Sequence, residues 1–98
     1  MDPVRILDLH TTLRASGKKK TGLYADIKSR LFVSAVRIGP GRKGWLEHEV
    51  DAVNRARAAS WSDEQIRNLV EQLERSRGEL ARNLPTAQNQ APTAASAV

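Results

Sequence analysis

The chain contains no cysteine. Disulfide scaffolds, zinc knuckles and thiol nucleophiles are thereby excluded. Aromatic side chains are scarce too: Tyr24, Phe32, Trp45 and Trp61 are all it has. Any core must be small and aliphatic. No apolar run comes near the roughly 18 residues that a bilayer span requires. The opening Met1-Asp2-Pro3 lacks the basic-then-apolar pattern of a signal peptide. The expectation is a soluble cytoplasmic protein with no membrane partner. The two histidines, His10 and His48, fall in separate helical segments without metal-ligand spacing. Neither catalysis nor a metal or cofactor site is expected, and Glu47-His48-x-x-Asp51 reads as a solvated helix face.

Acidic residues are missing from one stretch in particular. Between Arg14 and Trp45 stand Arg14, Lys18, Lys19, Lys20, Lys28, Arg30, Arg37, Arg42 and Lys43, against Asp26 alone. Residues 1–60 carry twelve Lys and Arg with six Asp and Glu; residues 61–98 carry four with five. Charge concentrated in this way points to a polyanion, most often nucleic acid. A length of 98 residues gives room for one domain with extensions.

The order of elements narrows the partner. Asp8 is placed to cap a short helix from Leu9 to about Ala15, which Ser16-Gly17 ends. A second helix is expected from about Lys18 to Ser29 or Arg30, with Leu23, Tyr24, Ile27 and Leu31 on one stripe. The period then changes to two, with Val36 and Ile38 on one side and Arg37 on the other. Gly39-Pro40-Gly41 makes a turn. Arg42-Lys43-Gly44 returns to Trp45, which is expected, with Val36 and Ile38, to seal the hairpin to the helices. Trp45 to Ala59 reads as a third helix, with acids in its first turns and arginines near its end. Ser62 to Gln65 is a capping-box candidate, and Trp61 against Ile66 fits a hydrophobic staple. The helix behind it carries Ile66, Leu69, Val70, Leu73 and Leu80 on one stripe and ends before Pro85. Residues 85–98, rich in Ala, Thr, Gln, Asn and Ser, read as a disordered tail.

These elements predict a mainly α fold with a small β-hairpin: a winged helix-turn-helix domain over 5–59, a C-terminal helix over 60–84 and the tail. In a helix-turn-helix the second helix enters the major groove with its N-terminal residues. Lys18, Lys19, Lys20 and Thr21 stand there, suited to guanine edges, a thymine methyl or phosphate. Lys28 extends the same basic helix. Arg37, Arg42 and Lys43 on the hairpin suit the minor groove or the adjacent backbone, and a Gly-Pro-Gly tip keeps bulk away from it.

Over residues 7 to 53, LDLHTTLRASGKKKTGLYADIKSRLFVSAVRIGPGRKGWLEHEVDAV, the chain resembles the AlpA-type phage and mobile-element regulators. These are a MerR-like winged-helix group that includes excisionases. The matching residues are Leu7, Leu9 and Leu13 with Gly17; Leu23, Tyr24 and Ile27 with Phe32; Val36-x-Ile38-Gly39-Pro40; and, most specific, Gly44-Trp45-Leu46-Glu47-x-Glu49-Val50-Asp51. The chain departs from the pattern at Val33 and Ala35, where the family has prolines. It departs again at Lys19-Lys20-Thr21, where the family has Ser-Arg-Ser, and at Asp26, where it has leucine.

The resemblance implies a double-stranded DNA-binding protein of an integrative mobile element. One role is that of excisionase, or recombination directionality factor, which bends DNA beside an attachment site and works with an integrase of the tyrosine recombinase type. The alternative role is transcriptional control of integrase or excision genes. Head-to-tail or dimeric self-association is a further expectation, and head-to-tail binding suits the bending of several sites in a row. From another class, a protein-interaction module working through the C-terminal helix is the rival. In that helix Ile66, Leu73 and Leu80 recur every seven residues, but Ser76 and Asn83 fall at later seam positions and disfavour a long coiled coil.

Overall fold

The computed structural model describes residues 3–85. The protein is mainly helical, with a small antiparallel sheet. A two-residue strand β1 (Ile6–Leu7) leads into α1 (Leu9–Ser16) and α2 (Lys20–Lys28). The hairpin β2 (Val36–Gly39) and β3 (Arg42–Leu46) comes next, then α3 (Glu47–Ala58) and α4 (Asp63–Arg75). A 3-10 turn, Ser76–Ala81, continues α4. The expected tail lies, beyond Pro85, outside the described residues. Among the described residues no helix is long and apolar enough to cross a membrane.

The helix ends follow local chemistry. The Asp8 side chain accepts the Thr11 N–H at 2.8 Å, capping α1, and this bond holds the Asp8 carboxyl below its ordinary value. Gly17 ends α1 at φ +70°, where its N–H meets the Leu13 carbonyl. Ser62 and Gln65 form the full capping box of α4, at 3.2 and 2.8 Å. Two helix exits use side-chain-bearing residues in the left-handed region, Arg30 at φ +66° and Ser60 at φ +62°.

The sheet differs from the expected lone hairpin. Its strand order is β1-β3-β2, all antiparallel, with Ile6 opposite Leu46 and Leu7 opposite Trp45. Trp45 and Leu46 therefore belong to a strand, and α3 starts at Glu47 rather than at Trp45. A two-residue strand has no periodicity to read, so only its tertiary partner defines it. Gly44 is required in this arrangement. A Cβ there would stand 2.5 Å from Ile6 Cγ2 and 2.9 Å from the Leu7 carbonyl oxygen.

The hairpin alternation is also broken. Arg37 faces Lys43, but the next pair is Gly39 with Arg42, so Ile38 is an extra residue in a bulge. A bulge reverses the facing of the residues beyond it. Ile38 is 40% exposed, Val36 is only half-buried, and neither joins Trp45 in the buried core as expected. Gly41, at φ +66°, supplies the second turn position after Pro40.

One core joins the four helices and β3. Leu23, Phe32, Val33, Trp45, Val50, Val53, Ala56, Ile66 and Val70 are buried together, with Leu9, Leu13, Ile27 and Leu73 packed around them. α4 thus contributes to the same cluster as α2 and the sheet. Its regular helix ends at Arg75, ahead of the Ser76 and Gly78 that weaken helix formation. The tighter 3-10 winding then turns Leu80 outward, to 45% exposure, instead of continuing the stripe.

Candidate nucleic-acid interface

The lysines and arginines divide by location. Eight of the sixteen form ion pairs: Arg5, Lys18, Arg30, Arg55, Arg57, Arg75, Arg77 and Arg82. Arg67 donates to the Ser29 carbonyl at 2.9 Å. The seven left without a carboxylate among the described residues are Arg14, Lys19, Lys20, Lys28, Arg37, Arg42 and Lys43. All seven are exposed. The folded chain neutralises its charge elsewhere and leaves α2, its approach and the hairpin positive.

The start of α2 is open to an anion. Lys19 is the N-cap, its side chain makes no capping bond, and Lys20 and Thr21 form the exposed first turn. The first N–H groups of a helix have no intrahelical acceptor and suit a phosphate oxygen. Lys20, Tyr24 and Lys28 are four residues apart and share one face of α2. Lys18 stands apart from this set. It precedes the helix, and its Nζ lies 2.9 Å from Asp26 Oδ2, with its side chain only 28% exposed. Arg57 of α3 reaches the same oxygen at 3.3 Å. Asp26, the single acid of the basic stretch, thus ties the α1–α2 turn to α3.

The hairpin presents its charge across the ladder. Arg37 and Lys43 are direct cross-strand partners, and Arg42 begins the returning strand at the turn. Like charges placed opposite each other destabilise a hairpin unless something neutralises them. Between α2 and the hairpin runs an open cleft of roughly 520 Å³, with Tyr24, Ile27 and Ala35 on its apolar side and Arg37, Arg42 and Lys43 on its charged side.

The apolar stripe of α2 predicts a core position for Tyr24. Instead it is 38% exposed, its ring standing edge-on to Trp45 at 6.3 Å between centroids. Trp45 fills the core position beneath it, so the smaller ring is displaced outward into the cleft. The Trp45 indole N–H is buried with no acceptor among the described residues.

Sequence reasoning also missed a polar cluster behind the cleft. Glu49 is wholly buried, and Arg77 meets both its carboxylate oxygens, at 2.6 and 2.9 Å. The same guanidinium donates to the Ser34 carbonyl at 2.8 Å. Glu74 accepts the Ser34 N–H at 2.7 Å and its hydroxyl at 2.9 Å, and pairs with Arg30 at 3.0 Å. Burial pushes the Glu74 carboxyl up, but the Ser34 and Arg30 hydrogen bonds outweigh it and hold the group below its ordinary value. The sequence did carry a signal. Glu49 falls four residues before Val53, and Arg77 four after Leu73, so opposite charges continue the apolar stripes of α3 and of the expected C-terminal helix.

Among the described residues no three His, Cys, Asp or Glu side chains gather as a metal-holding group. No family model matches the chain, and neither a curated protein nor a solved structure is found to match it.

Proposed function

We propose that the protein binds double-stranded DNA as a winged helix-turn-helix domain, with α2 as the reading helix and the hairpin as the wing. The observation that carries this is the placing of the cations that have no acidic partner among the described residues. Lys19, Lys20, Lys28, Arg37, Arg42 and Lys43 stand on two elements that flank one cleft, while half of the chain's cations are paired with acids. α2 supplies an uncapped N-terminus and a Lys20–Tyr24–Lys28 face for the major groove. The hairpin supplies a cross-strand Arg37–Lys43 pair that a phosphate backbone relieves. Lys18 serves the turn through Asp26, and Thr21 contributes a hydroxyl beside the two exposed lysines.

In its cellular role the protein acts as an excisionase of an integrative mobile element, a recombination directionality factor that bends DNA near an attachment site beside an integrase. What supports this is the resemblance of residues 7 to 53 to the AlpA-type regulators, together with a basic wing of the kind that favours DNA deformation. Control of integrase or excision genes is the second use of the same surface. A module working through the C-terminal helix has less support, because Ile66 and Val70 of its apolar stripe are buried in the core.

Fluorescence anisotropy with duplex DNA, and the variants Lys20→Ala and Arg42→Ala, tests the binding. Each lost contact should weaken affinity by about 1 kcal/mol. Unchanged binding by both folded variants would remove α2 and the hairpin as the interface. Footprinting with a bending assay over an attachment site and its neighbouring promoter separates the two cellular roles.

A further inference from the structure

The segment between α2 and β2, residues 29–35, determines how the hairpin sits against the helix. Phe32 and Val33 anchor it by burial, but its polar anchors come from elsewhere in the chain. The Leu31 carbonyl accepts Arg57 at 3.2 Å, the Ser29 carbonyl accepts Arg67, and both polar groups of the Ser34 backbone go to the C-terminal segment. Ser34 itself lines the basic cleft. It lies two residues before the hairpin and three before Arg37.

Glu49 explains why Arg77 can hold this position. A wholly buried carboxylate in a small domain is costly unless it is paired and hydrogen-bonded. Glu49 lies outside the residues that line the cleft, and its charge is opposite to what a polyanion needs. What it does is fix the plane of the Arg77 guanidinium through two parallel hydrogen bonds, so that Nη2 points at the Ser34 carbonyl. Glu74 closes the other side of Ser34 and pairs with Arg30, the residue held at positive φ where α2 ends.

We infer that Arg77 is a positioning residue for the basic cleft: clamped by Glu49, it holds Ser34 and so sets the angle between α2 and the hairpin. The C-terminal segment is then part of the DNA-reading unit without touching DNA. This rests on the proposed duplex binding, and the test keeps the two apart. Arg77→Lys keeps the charge but loses the bidentate geometry. Glu49→Leu/Arg77→Leu also leaves the net charge unchanged, and an apolar pair in place of a buried ion pair usually preserves the fold.

Both variants are compared with the wild-type full chain by circular dichroism, duplex-DNA anisotropy and amide hydrogen exchange at Val36–Gly39. The expected result is a folded protein that binds duplex DNA about tenfold more weakly, with hairpin amides exchanging at least several-fold faster. Arg82→Ala, which removes a charge from the same segment, should change affinity no more than twofold. Wild-type affinity and wild-type exchange in both folded variants overturn the inference. Should the wild-type chain bind no duplex, the DNA-binding proposal fails, while faster hairpin exchange in the variants still supports the clamp and unchanged exchange still refutes it.

Discussion

Salt is the perturbation that most directly tests what the folded chain adds to a count of basic residues. Each phosphate neutralised on duplex DNA releases counterions, with a slope of about −0.9 in log affinity against log salt. The basic stretch offers seven expected contacts with a full charge, Lys18 among them. Lys18 is held by Asp26 at 2.9 Å, which leaves six. Six give a limiting slope of about −5.4, and so a loss of about 10³ in affinity between 50 and 200 mM salt. Anisotropy titrations of a short labelled duplex across that range measure it. Arg42→Ala or Lys43→Ala should make the slope shallower by about 0.9. Lys18→Ala should leave the slope as it was and instead lower stability by up to about 1 kcal/mol, as befits a partly exposed pair. A slope near zero would refute duplex binding. A slope that drops with Lys18→Ala as much as with Arg42→Ala would refute the division of the cations into paired and free.

Gly44→Ala should destabilise the fold by about 1–3 kcal/mol in urea unfolding, because the new methyl would stand 2.9 Å from the Leu7 carbonyl oxygen and 2.5 Å from Ile6 Cγ2. Trp45→Ala should cost about 3–5 kcal/mol, enough to unfold so small a domain, whereas Trp45→Phe keeps an aromatic ring and removes an unpaired buried N–H. A folded Trp45→Ala protein that merely bound DNA weakly would mean that the ring faces the ligand. The lowered Glu74 carboxyl predicts an acid transition. Its contribution is present above its ordinary value of 4.5 and is lost as pH falls below that, through the folded-state value. Glu74→Gln should flatten that limb of a stability–pH profile while lowering stability at neutral pH.

Much of this fold is legible in one dimension because it depends on neighbours three or four residues apart. The Asp8 and Ser62 caps, the Gly17 exit and the apolar stripes of α2, α3 and α4 are of this kind. β1 was not legible, since two residues carry no period and its strand character comes from Leu46 and Trp45, about forty positions away. The bulge at Ile38 escaped for a related reason. Alternation can be counted, but an extra residue is defined only by the strand it pairs with. Tyr24 and Trp45 both fit an apolar stripe, and packing alone decided which ring went inside.

The sequence by itself determined where the charge lies along the chain, the helical periodicities and the turn residues that separate them. Those are local properties, carried by composition and short-range spacing. Only the tertiary structure decided which cations are left over. Asp26 takes Lys18 and Arg57, Glu49 takes Arg77, and Glu74 takes Arg30. These pairings join residues from eight to forty-four positions apart. Attraction between charges depends on separation in space and on how far water is excluded, and both are fixed only once the helices pack.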